Sequence, residues 1–360
     1  MKRLAVLDSM RGFAVLGMVE LHIGYLASML GLIGSGGSSF FKVPPPSTYD
    51  LPLATGIFFF FFVTGISLAV SIARRSEKGS FSTMARRVVL RYGGYYLSAI
   101  IVELILLYSF IWMGLPQPTN IMIILGGAAS YFSAVQGLGI AAILAFPLIL
   151  FLPWKKLLTA SIGVALVVGL VLYLILFFKV PLYWVPPNLF IVPLNPFLTG
   201  YFSALKGLSV ILLGATVGKL IVEGRDIKKK IILIGAPISL GYTIVPAILN
   251  SGLQHLMAPI WSYPHAIPFI CGSCLFLLGL FQILEARNHS LSPLRVLGRL
   301  SLTVFYAHFL ILLPILYTLK LLKIDITFGL LIGFVVLTEI IVWIAAYFYS
   351  KWRWGSPSSW

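Results

Sequence analysis

The stretch FFFFFVTGISLAVSIARR, residues 58–75, joins an uncharged apolar run to a pair of arginines. A helix of this length can cross the hydrocarbon core of a bilayer. Lysine and arginine concentrate in the segments on the cytoplasmic side of a membrane. The stretch therefore predicts a membrane-spanning helix whose carboxyl end faces the cytoplasm.

Similar apolar runs recur along the whole chain. Of its 360 residues, 59% are hydrophobic and 10% are charged, and the mean hydropathy is +1.02. A soluble domain usually carries about 25% charged residues. The sequence therefore predicts an all-α polytopic membrane protein, a single domain over residues 1–360 in the lipid bilayer. The ten predicted spans are 8–31, 51–73, 92–113, 131–153, 157–178, 201–221, 231–250, 265–284, 301–319 and 326–349.

The distribution of basic residues predicts the orientation of these spans. Nineteen of the 26 Lys and Arg residues fall in the segments that alternate crossing places on one side. This bias assigns that side, and both termini, to the cytoplasm. It also explains the net charge of +16 without a nucleic acid partner. The cytoplasmic segments are 1–7, 74–91, 154–156, 222–230, 285–300 and 350–360.

Three local features need their own interpretation. The opening MKRLAV, residues 1–6, is interpreted as the start of the first helix, because no small-residue cleavage site follows it. The segment NIMIILGGAAS, residues 120–130, is predicted to lie at the outer face or to re-enter the membrane. Cys271 and Cys274 are interpreted as packing residues, because a zinc site needs four ligands, and no metal site is predicted.

The predicted outer segments carry few charges and many Pro, Gly, Trp and Tyr residues. An example is KVPLYWVPPNLFIVPLNP, residues 179–196. Trp and Tyr often mark the bilayer interface, which alone explains their presence. Aromatic platforms also suit sugar rings, so both interpretations stay open.

Several ionisable side chains lie within the predicted spans, where they are costly unless they face a cavity or a partner. They are Asp8, Arg11, Glu20, His22, Glu103, Lys206, His308 and Glu339. On a helix, Arg11 and His22 lie about 20° apart in azimuth and about 16 Å apart along the axis. Asp8, Arg11 and His22 therefore share one stripe, and Glu20 falls on roughly the opposite face.

This stripe has two interpretations. Its inner end, Asp8 and Arg11, forms either an anchoring salt bridge or the cytoplasmic mouth of a channel. His22 lies near the midplane of the membrane, where an imidazole suits proton transfer. A neutral histidine at the same place can instead form a hydrogen bond between helices.

The remaining ionisable residues are equally ambiguous. Lys206 either extends to the outer surface, as long cationic side chains do, or orients an acceptor molecule. Glu103 and Glu339 either orient His22 or pair with other helices.

The stretch RLAVLDSMRGFAVLGMVELH, residues 3–22, resembles the opening of the transmembrane acyltransferase superfamily. In that pattern, LDxxRGxA and an apolar run precede a His or Asn. The closer resemblance is to the heparan-alpha-glucosaminide N-acetyltransferase group and its prokaryotic relatives. Three later stretches support it in the same order: FFFFFVTGISLAVSIARR at 58–75, LKGLSVILLGATVGKL at 205–220 and LGRLSLTVFYAHFLIL at 297–312.

The resemblance implies an enzyme that takes an acyl group, usually acetyl, from cytosolic acyl-coenzyme A. The acceptor would be a sugar or glycoconjugate amine or hydroxyl beyond the membrane, and the location a prokaryotic plasma membrane. His22 matches the position that lines the reaction centre, and His308 matches the histidine of the late motif. The sequence departs from the lysosomal enzyme in one respect, because GLIGSGG at 31–37 lacks a further histidine. His22 would therefore carry more of the base function.

The basic residues agree with this chemistry. Guanidinium groups can hold the phosphates of acetyl-coenzyme A by bidentate contacts. The predicted donor-binding residues are Arg74, Arg75, Arg86, Arg87 and Arg91 of the segment 74–91, together with Arg11 at the inner end of the first span.

Two other functions compete with this prediction. A secondary transporter of a small polar or anionic solute also uses midplane ionisable residues, although no inverted repeat is visible. A non-catalytic membrane scaffold would not need a midplane histidine above a basic segment. The sequence leaves open the acceptor, N- or O-acylation, the acyl chain length, an acyl-enzyme intermediate and the oligomeric state, a homodimer included.

Overall fold

The computed structural model describes residues 5–29, 32, 56–76, 80–112, 133–177, 204–249, 266–287, 291–324 and 328–354. Every regular element within these ranges is a helix, which confirms the predicted all-α class. In chain order the helices are α1 (Ala5–Met29), α2 (Gly56–Ser76), α3 (Phe81–Trp112), α4 (Ser133–Phe151), α5 (Trp154–Phe177), α6 (Ala204–Val222), α7 (Lys228–Leu249), α8 (Ala266–Ala286), α9 (Ser292–Arg299), α10 (Ser301–Leu321) and α11 (Phe328–Trp354).

Ten of these helices correspond in order to the ten predicted spans. The exception is α9, a short helix within the predicted cytoplasmic segment 285–300. The segments 120–130 and 179–196 lie outside the described residues. Five helices of the described ranges are long and apolar enough to cross a membrane, over Phe58–Arg75, Trp154–Val171, Ala204–Val222, Ser301–Leu321 and Gly333–Trp352.

The predicted cytoplasmic segment 74–91 is largely helical. α2 continues through its arginine pair to Ser76, and α3 begins at Phe81, well before the span that starts at residue 92. The hydroxyl of Ser80 accepts a hydrogen bond from the backbone N–H of Thr83 at 3.4 Å, as serine commonly does at a helix start. The arginines of this segment are therefore held on helices and not on a loop.

The chain folds into two compact units. Unit 1 comprises Met1–Phe59, Ile244–Pro259 and Phe276–Trp360, and unit 2 comprises Phe60–Thr243 and Ile260–Leu275. Within unit 1, α1 packs against α9, α10 and α11. Within unit 2, α4 packs against α3 and α6, and α5 packs against α6. The single domain remains a prediction.

Helices α1 and α9 of unit 1 cross at two glycines. A Cβ atom added at Gly12 would collide with the carbonyl of Leu294, and one at Gly298 would collide with the carbonyl of Asp8. Small residues let the backbones of membrane helices approach closely. This crossing brings the first helix onto the short helix that precedes α10.

Unit 2 uses the same kind of contact between α2 and α6. A Cβ atom at Gly65 would collide with the carbonyl of Ile211, and one at Gly214 would collide with the carbonyl of Phe62. Phe62 is fully buried in this contact region. The close approach fixes α2, and with it the side chains at the carboxyl end of α2.

Candidate functional site

A pocket of about 80 Å³ lies between α2 and α3 in unit 2. A buried water needs roughly 10–15 Å³ by the same measure, so the pocket suits a phosphate group and not a whole coenzyme. α2 contributes Ser67, Leu68, Ser71, Ile72 and Arg75, α3 contributes Met84, Arg87, Val88, Arg91 and Tyr92, and α4 contributes Phe146.

Helical spacing brings the polar groups of the pocket together. Ser67, Ser71 and Arg75 follow one another at intervals of four residues, so they lie on one face of α2. Arg87 and Arg91 have the same spacing on α3. The residues that line the pocket therefore include three with guanidinium groups and two serines.

Two tyrosines hold Arg91 in place. The Nε of Arg91 donates a hydrogen bond to the hydroxyl of Tyr95 at 3.2 Å. The guanidinium carbon lies 5.7 Å from the ring centroid of Tyr92 and 6.0 Å from that of Tyr95. Such cation–π contacts contribute about 0.5–1 kcal/mol at exposed sites. The orientation of Arg91 is therefore restricted before any ligand arrives.

The pocket divides the five arginines predicted from the segment 74–91 into two groups. All five are exposed, but Arg75, Arg87 and Arg91 line the pocket, whereas Arg74 and Arg86 do not. None of the lining residues is acidic. Three positive charges in a partly enclosed space favour an anion, and the planar fork of arginine matches a phosphate.

Asp8 is the centre of a charged cluster in unit 1. Its side chain is 2% exposed, and its Oδ1 accepts a hydrogen bond from Nη1 of Arg11 at 3.0 Å. Its Oδ2 lies 3.7 Å from Nε of Arg299 in α9. The predicted pair of Asp8 and Arg11 is therefore confirmed, and Arg299 is a second cation that the sequence did not indicate. Two guanidinium groups compensate a carboxylate that would be costly to bury alone.

A second acidic residue adjoins this cluster. Glu285 of α8 accepts a hydrogen bond from the hydroxyl of Ser9 at 3.3 Å, and its Oε1 lies 3.6 Å from Nε of Arg295. Sequence reasoning missed Glu285, Arg295 and Arg299 because the cytoplasmic bias was a sufficient reason for charges in the segment 285–300. One sequence signal could have indicated Arg299, because this residue lies in the LGR that opens the late motif at 297–312.

A comparison with protein families assigns the chemistry. A family model described as an acyltransferase domain matches residues 4–349, from α1 into α11. The chain belongs to this acyltransferase family. A comparison with curated proteins gives no significant match. With its apolar helices, this acyltransferase is an integral membrane protein, and its family favours an enzyme over the transporter that the sequence also allowed.

His308 of the acyltransferase is fully buried on α10 in unit 1. Its Nδ1 lies 3.1 Å from the carbonyl of Val304, one turn earlier on the same helix. The tautomer with a proton on Nδ1 donates to this carbonyl and leaves Nε2 as the basic nitrogen. The ring packs against Phe309, with centroids 4.3 Å apart.

His22 of the acyltransferase lies on α1, which is a continuous helix over Ala5–Met29. Arg11 and His22 therefore share one helix, as the predicted stripe requires. The side chains of His22, Glu20 and Glu103 lie outside the described residues. Their roles stay predictions.

The burial of Lys206 contradicts one of the two interpretations that the sequence allowed for this residue. Its side chain on α6 is 4% exposed, so the prediction that it extends to the outer surface is wrong. Gly207, the next residue on α6, lets the ring of Phe61 approach the helix closely. An acceptor-orienting role stays a prediction, and so do the two roles of Glu339, which is half-buried on α11.

The described part of the chain contains no group of three or more His, Cys, Asp or Glu residues that could hold a metal. The two cysteines of α8 occupy packing positions. Cys274 is fully buried, and Cys271 packs against Val168 of α5. These contacts agree with their interpretation as small core residues.

Proposed function

We propose that this acyltransferase moves an acyl group from cytosolic acyl-coenzyme A to a sugar-type amine or hydroxyl on the outer face, and that the acyl group is acetyl. The acceptor nitrogen or oxygen attacks the thioester carbonyl carbon while a base removes its proton. The new bond to carbon forms as the carbon–sulfur bond breaks. Coenzyme A leaves as its thiolate and takes up one proton, so the step consumes no further reactant.

The arginine pocket of unit 2 is the observation that carries this proposal. It lies where α2 ends and α3 begins, in a segment that the basic residues assign to the cytoplasm. A phosphate of coenzyme A supplies the anion that Arg75, Arg87 and Arg91 favour. The proposal therefore confines the donor phosphate to these three arginines and leaves out Arg74 and Arg86.

We assign the removal of the acceptor proton to His22. An imidazole is the side chain whose ordinary pKa best matches proton transfer near neutral pH. The resemblance of residues 3–22 to the heparan-alpha-glucosaminide N-acetyltransferase group supports this position, and the continuous α1 supports the spacing from Arg11. His308 is the second histidine of the proposal, in a buried position on α10 that suits a hydrogen-bonding role.

The test of the donor site is acetyl-coenzyme A binding to the full-length purified chain, measured by calorimetry. The variant Arg75→Gln/Arg87→Gln removes two pocket cations. The matched variant Arg74→Gln/Arg86→Gln removes their sequence neighbours, which lie outside the pocket. Each hydrogen bond to a charged group contributes about 1.5–3 kcal/mol, so we expect the pocket variant to bind at least tenfold more weakly. The neighbour variant should bind within about twofold of the wild type.

The same preparation tests His22. We expect His22→Ala to bind acetyl-coenzyme A normally and to lose acyl transfer to a sugar amine or hydroxyl acceptor. Equal loss of binding in the pocket and neighbour variants would contradict the donor site. Normal turnover in both His22→Ala and Arg11→Ala would contradict the reaction centre.

A further inference from the structure

A second basic region of unit 2, whose residues do not belong to the lining of the arginine pocket, lies where two turns meet. α5 begins at Trp154, directly after its turn from α4, and the turn between α6 and α7 carries Arg225. The guanidinium carbon of Arg225 lies 5.2 Å from the ring of Trp154, and Nζ of Lys155 lies 5.7 Å from the same ring. Lys219 of α6 donates a hydrogen bond to the carbonyl of Leu152. We refer to residues 152–156 and 219–230 as the basic corner.

The geometry of the basic corner is fixed by helix-end contacts. Gly224 has φ +70°, which allows the turn that ends α6, and Arg225 donates its backbone N–H to the carbonyl of Leu220 at 3.1 Å. Asp226 accepts a hydrogen bond from the backbone N–H of Lys228 at 3.3 Å at the start of α7. The corner is therefore an ordered surface and not a pair of loose turns.

The basic corner is strongly cationic. It holds seven Lys or Arg residues against Glu223 and Asp226, which gives a net charge of +5. Glu223 lies 2.8 Å from Nε of Arg225, but the side chain of Arg225 is still 54% exposed. The exposed lysines are Lys155, Lys156, Lys228, Lys229 and Lys230. None of these groups lines the arginine pocket, so the proposed reaction leaves their charge unused.

An apolar stripe continues from this corner along α5. Ile162, Leu166 and Leu170 follow one another at intervals of four residues and lie on one side of α5, rotated by roughly 80–160° around the helix axis from Trp154. Their exposed fractions are 53%, 68% and 59%. A Trp ring between cations at one end and an apolar stripe below it match the two parts of a phospholipid.

We propose that the basic corner binds the headgroup of an anionic phospholipid from the cytoplasmic leaflet. The headgroup phosphate contacts Lys155 and Arg225 beside the Trp154 ring, and the acyl chains lie along the apolar stripe of α5. A free phosphate would use only the cations, whereas a phospholipid uses both the cations and the stripe. This inference is independent of the acyl donor and its pocket.

The experiment is lipid binding to the full-length chain in neutral detergent, followed by native mass spectrometry. Phosphatidylglycerol is compared with phosphatidylcholine of the same acyl chains and with inorganic phosphate. A lysine or arginine near an anionic surface raises affinity roughly fivefold, so Lys155→Gln/Arg225→Gln should bind phosphatidylglycerol roughly thirtyfold more weakly. The matched variant Arg287→Gln/Lys351→Gln removes two exposed charges from the predicted cytoplasmic side of unit 1 and should change binding less than twofold.

A second variant provides an independent test in case the first variant fails to fold. Lys228→Gln/Lys229→Gln alters two other exposed lysines of the basic corner, and it should also weaken phosphatidylglycerol binding. Equal weakening by the unit 1 variant would overturn the proposal, because it would show a general charge effect. Phosphatidylcholine binding as tightly as phosphatidylglycerol would also overturn it. So would inorganic phosphate displacing phosphatidylglycerol at equal concentration, because the site would then be one for free phosphate.

Discussion

At the scale of single residues, Asp8 shows how a charge can be kept inside a membrane protein. The carboxylate is 2% exposed, and guanidinium groups approach both of its oxygens. The pair with Arg11 follows from a spacing of three residues on one helix, and could be predicted. The approach of Arg299 depends on the crossing of α1 with α9, and so on contacts between distant parts of the sequence.

This arrangement predicts a large effect of neutralising Asp8. Asp8→Asn keeps the size of the side chain but leaves Arg11 and Arg299, which are 22% and 13% exposed, without their anion. Breaking a buried pair costs about 3–5 kcal/mol, and partial exposure of the arginines reduces this to about 2–3 kcal/mol. The free energy of unfolding, measured by titration with sodium dodecyl sulfate, should fall by that amount.

The control for Asp8 is Glu223, whose partner Arg225 is largely exposed. Glu223→Gln should lower the free energy of unfolding by less than about 1 kcal/mol, because exposed ion pairs are screened by water. If Asp8→Asn cost no more than Glu223→Gln, Asp8 would not be a structural anchor of unit 1.

At the scale of the elements, glycines determine which helices can touch. Gly298 and Gly12 let α1 and α9 meet backbone to backbone, and Gly65 and Gly214 do the same for α2 and α6. Both contacts lie in stretches that resemble family motifs. A physical reason for glycine at these positions is therefore close packing of helices, apart from any role in catalysis.

The crossing of α1 and α9 predicts a strong effect of one methyl group. In Gly298→Ala, the new Cβ would collide with the backbone carbonyl of Asp8, which no rotation of a side chain can relieve. Overpacking usually costs about 1–3 kcal/mol, and we expect the upper end of that range. The measurement is the same detergent titration.

Gly333 of α11 provides the comparison, because a Cβ there meets nothing within 4 Å. Gly333→Ala should leave the free energy of unfolding unchanged or raise it by up to about 1 kcal/mol, since alanine favours helix more than glycine. Equal destabilisation by both variants would mean that the crossing does not limit the packing of unit 1.

At the scale of the whole molecule, the sequence was sufficient to locate the helices. It was sufficient to predict only part of the arginine pocket and of the cluster around Asp8. Each span is a local apolar run whose length is set by the bilayer, so ten helices could be located from the sequence. The short α9 was missed because its burial arises from contact with α1. The separation of Arg75, Arg87 and Arg91, which line the pocket, from Arg74 and Arg86 depends on α2 and α3 continuing as helices beyond their predicted spans.

The orientation of the molecule gives a further prediction, because an odd number of crossings must place two positions on opposite sides. Five spans separate Lys156 from Ile324, provided that the short α9 does not cross the membrane. Both residues are exposed, and the two native cysteines can be removed by Cys271→Ala/Cys274→Ala to give an unreactive background. In intact cells, a membrane-impermeant maleimide should label Ile324→Cys at once. Lys156→Cys should react only after the membrane is permeabilised. Labelling of both positions from the same side would contradict the ten-span topology, and labelling of Lys156→Cys alone would invert it and move the arginine pocket away from the cytosolic donor.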